Sequence, residues 1–232
     1  MKIAMWSGPR NLSTAMMYSF GNRPDFHVWD EPFYGAYLAT TGLDHPMRAE
    51  VIAAGSTDPQ EVADQIVARG DGVFLKLMGF HMLDDFPLDW AEDFTHVHLL
   101  RHPARVIASY SAKREEPTRA DIGFDAQLSL FRKFPGPVIS SFDIRGNPEA
   151  ALTQLCASIG LASDPSMLSW PKGPKSFDGV WAPHWYDAVH KSSRFASAEG
   201  TLPELDGAQS ALLEEVLPIY QEMANSKLNI DM

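Results

Sequence analysis

Two arginines and a pair of carboxylates fall where short apolar runs stop. The run at 2–6 gives way to Ser7-Gly8-Pro9-Arg10-Asn11-Leu12-Ser13-Thr14, and residues 13–20 then read as a nearly all-apolar helix closed by Gly21. A tight loop feeding a helix N-terminus presents backbone N–H groups and partial positive charge, which together hold an anion. Arg10 adds a planar, always-protonated fork suited to phosphate or sulfate oxygens, and Ser13 and Thr14 add hydroxyls. The plain alternative is a strand–helix turn with Ser13 as its N-cap. The run at 26–29 ends at Asp30-Glu31-Pro32-Phe33, so a carboxylate able to take a proton sits at a second strand end. Its alternative role is ordinary: Asp30 caps a helix and Glu31 is solvated. The run at 95–100 ends at Arg101, a cation where metal-dependent phosphoryl transfer needs an acid, and it suits a second anion.

Further candidates lie nearby. Lys76 interrupts the apolar segment VFLKLM, where an ammonium is costly unless it meets an anion or its stem reaches water. It either approaches Glu31 and a bound anion or sits on an edge strand facing solvent. His81 follows closely and is the alternative base. His96 and His98 share one face of a strand, yet no carboxylate accompanies them at ligand spacing, so packing is expected and no metal site. Trp170, Trp181 and Trp185 read as core or wall residues, and Lys113-Arg114-Glu115-Glu116 as a solvated helix end.

The elements that must place these residues follow from the apolar periodicity. Strands are expected at 2–6, 26–29, 73–77, 95–100 and 138–142. Helices are expected at 13–20, from Asp58-Pro59 to Gly70, at 103–112, 124–134, from Asn147-Pro148 to Gly160, and at 207–224 with a kink or break at Pro218. In the 147–160 helix, Leu152, Leu155, Cys156 and Ile159 make the buried face. Segment 164–195 has no period and reads as loops. Strands alternating with helices imply parallel βα units, so residues 1–232 are expected to form one α/β domain, a three-layer sandwich around a mostly parallel sheet. Ligands bind such sheets beyond the strands' carboxyl ends, where Arg10, Glu31 and Arg101 fall.

Composition sets outer limits. Nineteen Lys and Arg against 30 Asp and Glu give a net charge of −11, which argues against nucleic acid or an anionic membrane as partner. The one cysteine, Cys156, excludes an intramolecular disulfide and a cysteine-rich zinc site. The opening MKIAMWSGPRN is broken by Pro9, Arg10 and Asn11 before an apolar run develops, so no signal peptide and a cytoplasmic location are expected. No apolar stretch reaches the roughly 18 residues of a membrane span. The loop is not a Walker A motif, because no Gly-Lys pair occurs anywhere in the chain.

Taken in order, these features resemble the sulfotransferase family that uses 3′-phosphoadenosine 5′-phosphosulfate (PAPS) on a P-loop nucleoside triphosphate hydrolase-like fold. The segment PRNLST, Pro9 to Thr14, is similar to that family's PKSGTTW or PRSGST signature, with Arg10 in the basic position. Arg101-His102-Pro103 with Ser109 eight residues after Arg101 resembles its second signature, RxPxxxxxS. NPEAALTQLCASIGL at 147–161 is a softer third likeness. Together they touch 1–35, 95–112 and 137–161, about a third of the chain. One departure stands out: Leu12 replaces the usual loop glycine.

The resemblance implies sulfuryl transfer from PAPS to a hydroxyl or amine of a small acceptor, without a metal. Gly8, Pro9, Arg10, Asn11, Leu12, Ser13 and Thr14 would hold the 5′-phosphosulfate, and Arg101 and Ser109 the 3′-phosphate. Glu31 would be the base, with Arg10, Lys76 and His81 as the other catalytic candidates. It also offers Lys191 and Ser192 as nucleotide contacts, with the aromatics around His184 and His190 as a pocket wall. The competing readings are an ATP-dependent kinase or phosphotransferase and a non-catalytic nucleotide sensor of the same fold.

Overall fold

The computed structural model describes residues 1–112 and 116–230; most of the run at 113–116, expected as a solvated helix end, lies outside them. Five strands, β1 (Lys2–Ser7), β2 (His27–Asp30), β3 (Val73–Met78), β4 (Thr95–Leu100) and β5 (Val138–Ser140), form an all-parallel sheet in the order β2-β3-β1-β4-β5. The helices are α1 (Ser13–Gly21), α2 (Tyr34–Thr41), α3 (Arg48–Ala54), α4 (Pro59–Ala68), α5 (Pro103–Ser111), α6 (Arg119–Ile122), α7 (Phe124–Lys133), α8 (Ser141–Gly146), α9 (Pro148–Ser158), α10 (Ala182–Trp185), α11 (Asp187–His190) and α12 (Gly207–Ala224).

Strand alternation divides the core between the two sheet faces. Ile3, Met5, Phe74 and Leu99 pack on one side with α1 and α9. Ala4, Trp6, Leu75 and Leu77 pack on the other with α4 and the end of α7. Lys76 is two residues from Phe74 and so shares the α1 side. A further cluster joins α5, α7 and α12 around Ile107, Phe124 and Val216. The three-layer α/β architecture is therefore as the periodicity implies.

The boundaries follow local chemistry. The Asp58 side chain accepts from Gln60 N and Pro59 opens α4; Asn147 accepts from Ala150 N and Pro148 opens α9. Two expectations change. β5 stops at Ser140 rather than continuing to Phe142, because the Ser140 hydroxyl accepts from Phe142 N and starts α8. The C-terminal helix α12 is one element across Pro218, opened by a reciprocal Asp206–Gln209 capping box. Pro218 is exposed, so the carbonyl its ring leaves without a partner can meet water. Helices α2, α3, α6, α8, α10 and α11 are additional to those read from the sequence; they have 4 to 8 residues, too few to show a period.

Candidate active site

The loop after β1 is built from backbone conformations that side chains resist. Arg10 (φ 60°) and Leu12 (φ 74°) both take the left-handed region, which favours glycine. Leu12 thus adopts the turn that a glycine in its place would give, and it sits at the N-cap of α1 without a side-chain cap. The first-turn N–H groups of α1 therefore receive no acceptor from the N-cap side chain. Asn11 is buried and braces the loop: its Nδ2 donates to Leu99 O (3.1 Å), which also accepts from Gln127 Nε2 (2.7 Å). The fit around Gly8 is tight, since a Cβ would lie 3.3 Å from both Gln127 Oε1 and Ile122 O. Arg10 Nε donates to Ser109 Oγ (3.0 Å), joining the two stretches that the sequence singled out.

At the ends of β2 and β3 a buried polar cluster replaces the open carboxylate pair of the plain reading. Asp30 and Lys76 are register partners on adjacent strands, and Lys76 Nζ donates to Asp30 Oδ1 (2.9 Å), Glu31 Oε1 and Tyr186 OH (2.7 Å). Three acceptors use all three ammonium hydrogens. β3 is an interior strand, so Lys76 does not face water; its residue is 1% exposed. Asp30 does not cap α2: its Oδ2 accepts from Tyr186 OH (2.7 Å) and Gly179 N (3.1 Å). Trp181 Nε1 in turn donates to Tyr186 OH (3.0 Å).

Glu31 occupies the strained position of this cluster, with φ 41°. Its N–H donates to Lys76 O (2.9 Å). Burial pushes its carboxyl above the usual carboxylate range, against the pull of Lys76 and with a contribution from Asp30. Burial alone would lower Lys76, but the two carboxylates outweigh it and hold the ammonium above its ordinary value. His81 stacks on Tyr34 (4.5 Å) and Tyr37 (4.7 Å), and its Nδ1 stands 3.9 Å from Glu31 Oε2. Burial, then His45 and Lys76, drives His81 well below the usual histidine value, so the ring is neutral. That Nδ1 is buried and has no hydrogen-bond partner among the described residues.

Arg101 is placed at the end of β4 as expected, but its fork is already engaged. Nε (3.1 Å) and Nη2 both donate to Glu199 Oε1, and Nη1 donates to Arg10 O (2.7 Å). Glu199 also pairs with Arg105 (3.1 Å) and Arg145 (2.9 Å).

A cavity of about 400 Å³ runs along these groups. Arg10, Asn11, Leu12, Ser13, Thr14, Glu31, Lys76, His81, Arg101 and Ser109 all line it, as do Tyr34, Trp181, Trp185, Tyr186 and Ser192. Lys191 instead pairs with Asp187 at the surface, and His190 with Asp178 (3.0 Å). Trp170 is buried in the core. His96 and His98 are packing residues: His96 Nδ1 accepts from Trp6 Nε1 (3.0 Å), and His98 Nε2 lies 2.9 Å from Phe134 O. Tyr186 was offered only among the aromatics of a pocket wall, not as a partner of Asp30 and Lys76, and Arg105, Arg145 and Glu199 were not legible in advance. They come from aperiodic segments, from the far side of a helix that looked complete, or from a helix hidden behind β5.

Comparison with known proteins follows the same outline. A family model described as a sulfotransferase domain matches residues 1–227. Branched-chain-amino-acid aminotransferase-like proteins 2 and 1 of Arabidopsis thaliana are each 33% identical over 227 residues, covering 94% of this chain. The chain spans only 40% of the length of each of these relatives. The sulfotransferase domain of the Synechococcus PCC 7002 olefin synthase superposes with a TM-score of 0.53 at 16% identity, covering 93% of this chain and 94% of that one, a likeness of fold.

Proposed function

The chain belongs to the sulfotransferase domain family, and from that membership we propose that it moves a sulfuryl group from PAPS to a hydroxyl or amine of a small acceptor. One observation carries the reading: the Arg10 loop, Arg101, Ser109 and a buried carboxylate, Glu31, open onto the same cavity. The residues fit the donor. Uncapped N–H groups at α1 and the Arg10 guanidinium suit the phosphosulfate end, and Arg101 with Ser109 suits a second phosphate. The buried, unpartnered His81 Nδ1 marks a polar position still open beside Glu31. When bound, PAPS supplies an activated sulfuryl group on a stable nucleotide leaving group.

The protein's own part is positioning and proton removal. Lys76 holds Oε1 of Glu31, leaving Oε2 turned toward His81 and the cavity to receive the acceptor's proton. Burial raises the basicity of that carboxylate once ionised. The cost of its left-handed backbone is borne by the surrounding network, which fixes the carboxylate in place. Tyr34, Trp181 and Trp185 exclude water around it. Arg10 and the loop N–H groups stabilise negative charge on the transferring group.

Thermal unfolding with adenosine 3′,5′-bisphosphate, AMP and ATP, each with and without Mg²⁺, tests the donor class. Stabilisation by the bisphosphate without metal is expected. Preference for Mg²⁺ with ATP would replace this reading with a kinase. Tight bisphosphate binding with no transfer to any acceptor would leave a nucleotide sensor.

A further inference from the structure

Three guanidinium groups meet one carboxylate at the end of β4. Arg101 from the β4–α5 turn, Arg105 from α5 and Arg145 from α8 all form ion pairs with Glu199, whose side chain is 2% exposed. Every ion pair these arginines make among the described residues ends on Glu199. Three positive charges against one negative leave an excess of two, with the arginine side chains only 12% to 22% exposed. A carboxylate serving only to fix one arginine would not need two more. The cluster matches a more highly charged anion than the one it holds.

Between Phe195, buried against Trp170, and Leu205, packed on the cluster of α5, α7 and α12, the segment carrying Glu199 is tied down by the same arginines. Residues 195–206 have no regular secondary structure, and Ala196, Ser197 and Ala198 are exposed. Arg145 Nε donates to Ser197 O (2.8 Å), and Arg105 Nη2 donates to Gly200 O. Ala196 and Arg101 both line the cavity, so the strap borders the donor site. Arg101 cannot offer a phosphate the edge formed by Nε and Nη2 while both nitrogens contact Glu199 Oε1.

We propose that Glu199 is an internal stand-in for a phosphate monoester, seated where the donor's 3′-phosphate binds, and that the donor must displace it and lift the strap at 196–204. The proposal rests on the PAPS reading above. It assigns Arg105 and Arg145 to the 3′-phosphate alongside Arg101 and makes the strap a selector. A nucleotide with a 3′-phosphate gains the three arginines in exchange for Glu199, whereas AMP gains nothing by moving it. Donor affinity is lowered by the fraction of molecules in which the strap is closed.

Calorimetric titration of the wild-type chain and Glu199→Gln with adenosine 3′,5′-bisphosphate and with AMP separates this role from a structural clamp. Removing the competing charge should tighten bisphosphate binding by roughly tenfold or more and leave AMP unchanged. Unchanged or weaker bisphosphate binding in the variant would show that Glu199 merely orients the arginines and would overturn the proposal. If neither protein binds the bisphosphate, the PAPS reading itself falls. Should the variant fail to fold, amide hydrogen exchange on the wild-type protein decides: bisphosphate, but not AMP, should speed exchange across 196–202. Slower exchange there would mean the strap closes on the ligand, the opposite of the proposal.

Discussion

Glu31 concentrates most of the proposed chemistry in one side chain. Glu31→Gln removes the proton acceptor while keeping shape, so transfer should fall by about 10²–10⁴-fold with bisphosphate binding preserved in a titration. The ionised form is the base, so activity is lost as pH falls through the carboxyl's raised value. The acid limb of kcat/KM should therefore lie above the roughly 4.3 of an ordinary glutamate, and a limb at or below that value would remove Glu31 from the role. Glu31 was legible as a carboxylate at a strand end. Its strained backbone and its tie to Lys76 were not, because both depend on β3 lying beside β2. His81 was legible as a rival base. Its burial between Tyr34 and Tyr37 comes from α2, which the sequence did not announce.

At the scale of elements, the loop from β1 to α1 shows how a departure from a pattern is absorbed. Leu12 stands where a loop glycine is usual, yet its backbone is left-handed, so the amide path into α1 is kept. The side chain repays part of the strain by packing against the core. Leu12→Gly should therefore leave bisphosphate affinity within about threefold. Stability should shift by roughly 1 kcal/mol or less, as relief of about 1–2 kcal/mol of left-handed strain offsets lost packing; a titration and a denaturant melt measure the two. Strands and long helices were readable because an apolar period needs only length. The short helices that shape the cavity walls, α2 and α10 among them, give too few turns to register. β5 ended early for a one-residue reason, the capping hydroxyl of Ser140.

The whole molecule is acidic by 11 charges, and its candidate site gathers scarce cations into one place. Arg10 and Arg101 meet at the strand ends, which strand spacing foretold. Arg105, Arg145 and Glu199 join them only through tertiary folding, and no spacing rule brings residues 101, 145 and 199 together. The same long-range assembly holds the proposed base, since Lys76 bridges β2, β3 and Tyr186. Lys76→Met should leave two buried carboxylates without their counter-charge and cost about 3–5 kcal/mol. For a chain of this size that is a fall of on the order of 10 °C in Tm, readable by calorimetry. A change of only a degree or two would mean that water or protonation neutralises the pair.

The pairing of Asp30 with Lys76 across β2 and β3 makes the site a readout of strand register. A slip of one residue would turn Lys76 to the opposite face of the sheet, toward Leu75 and Leu77's neighbours, and strand Asp30 and Glu31. Since Tyr186 completes the cluster from 110 residues further along the chain, a refolding molecule can have most of its core and still lack the assembled Asp30–Glu31–Lys76 cluster. Recovered activity would then report the last correct pairing of distant segments, not the first appearance of structure.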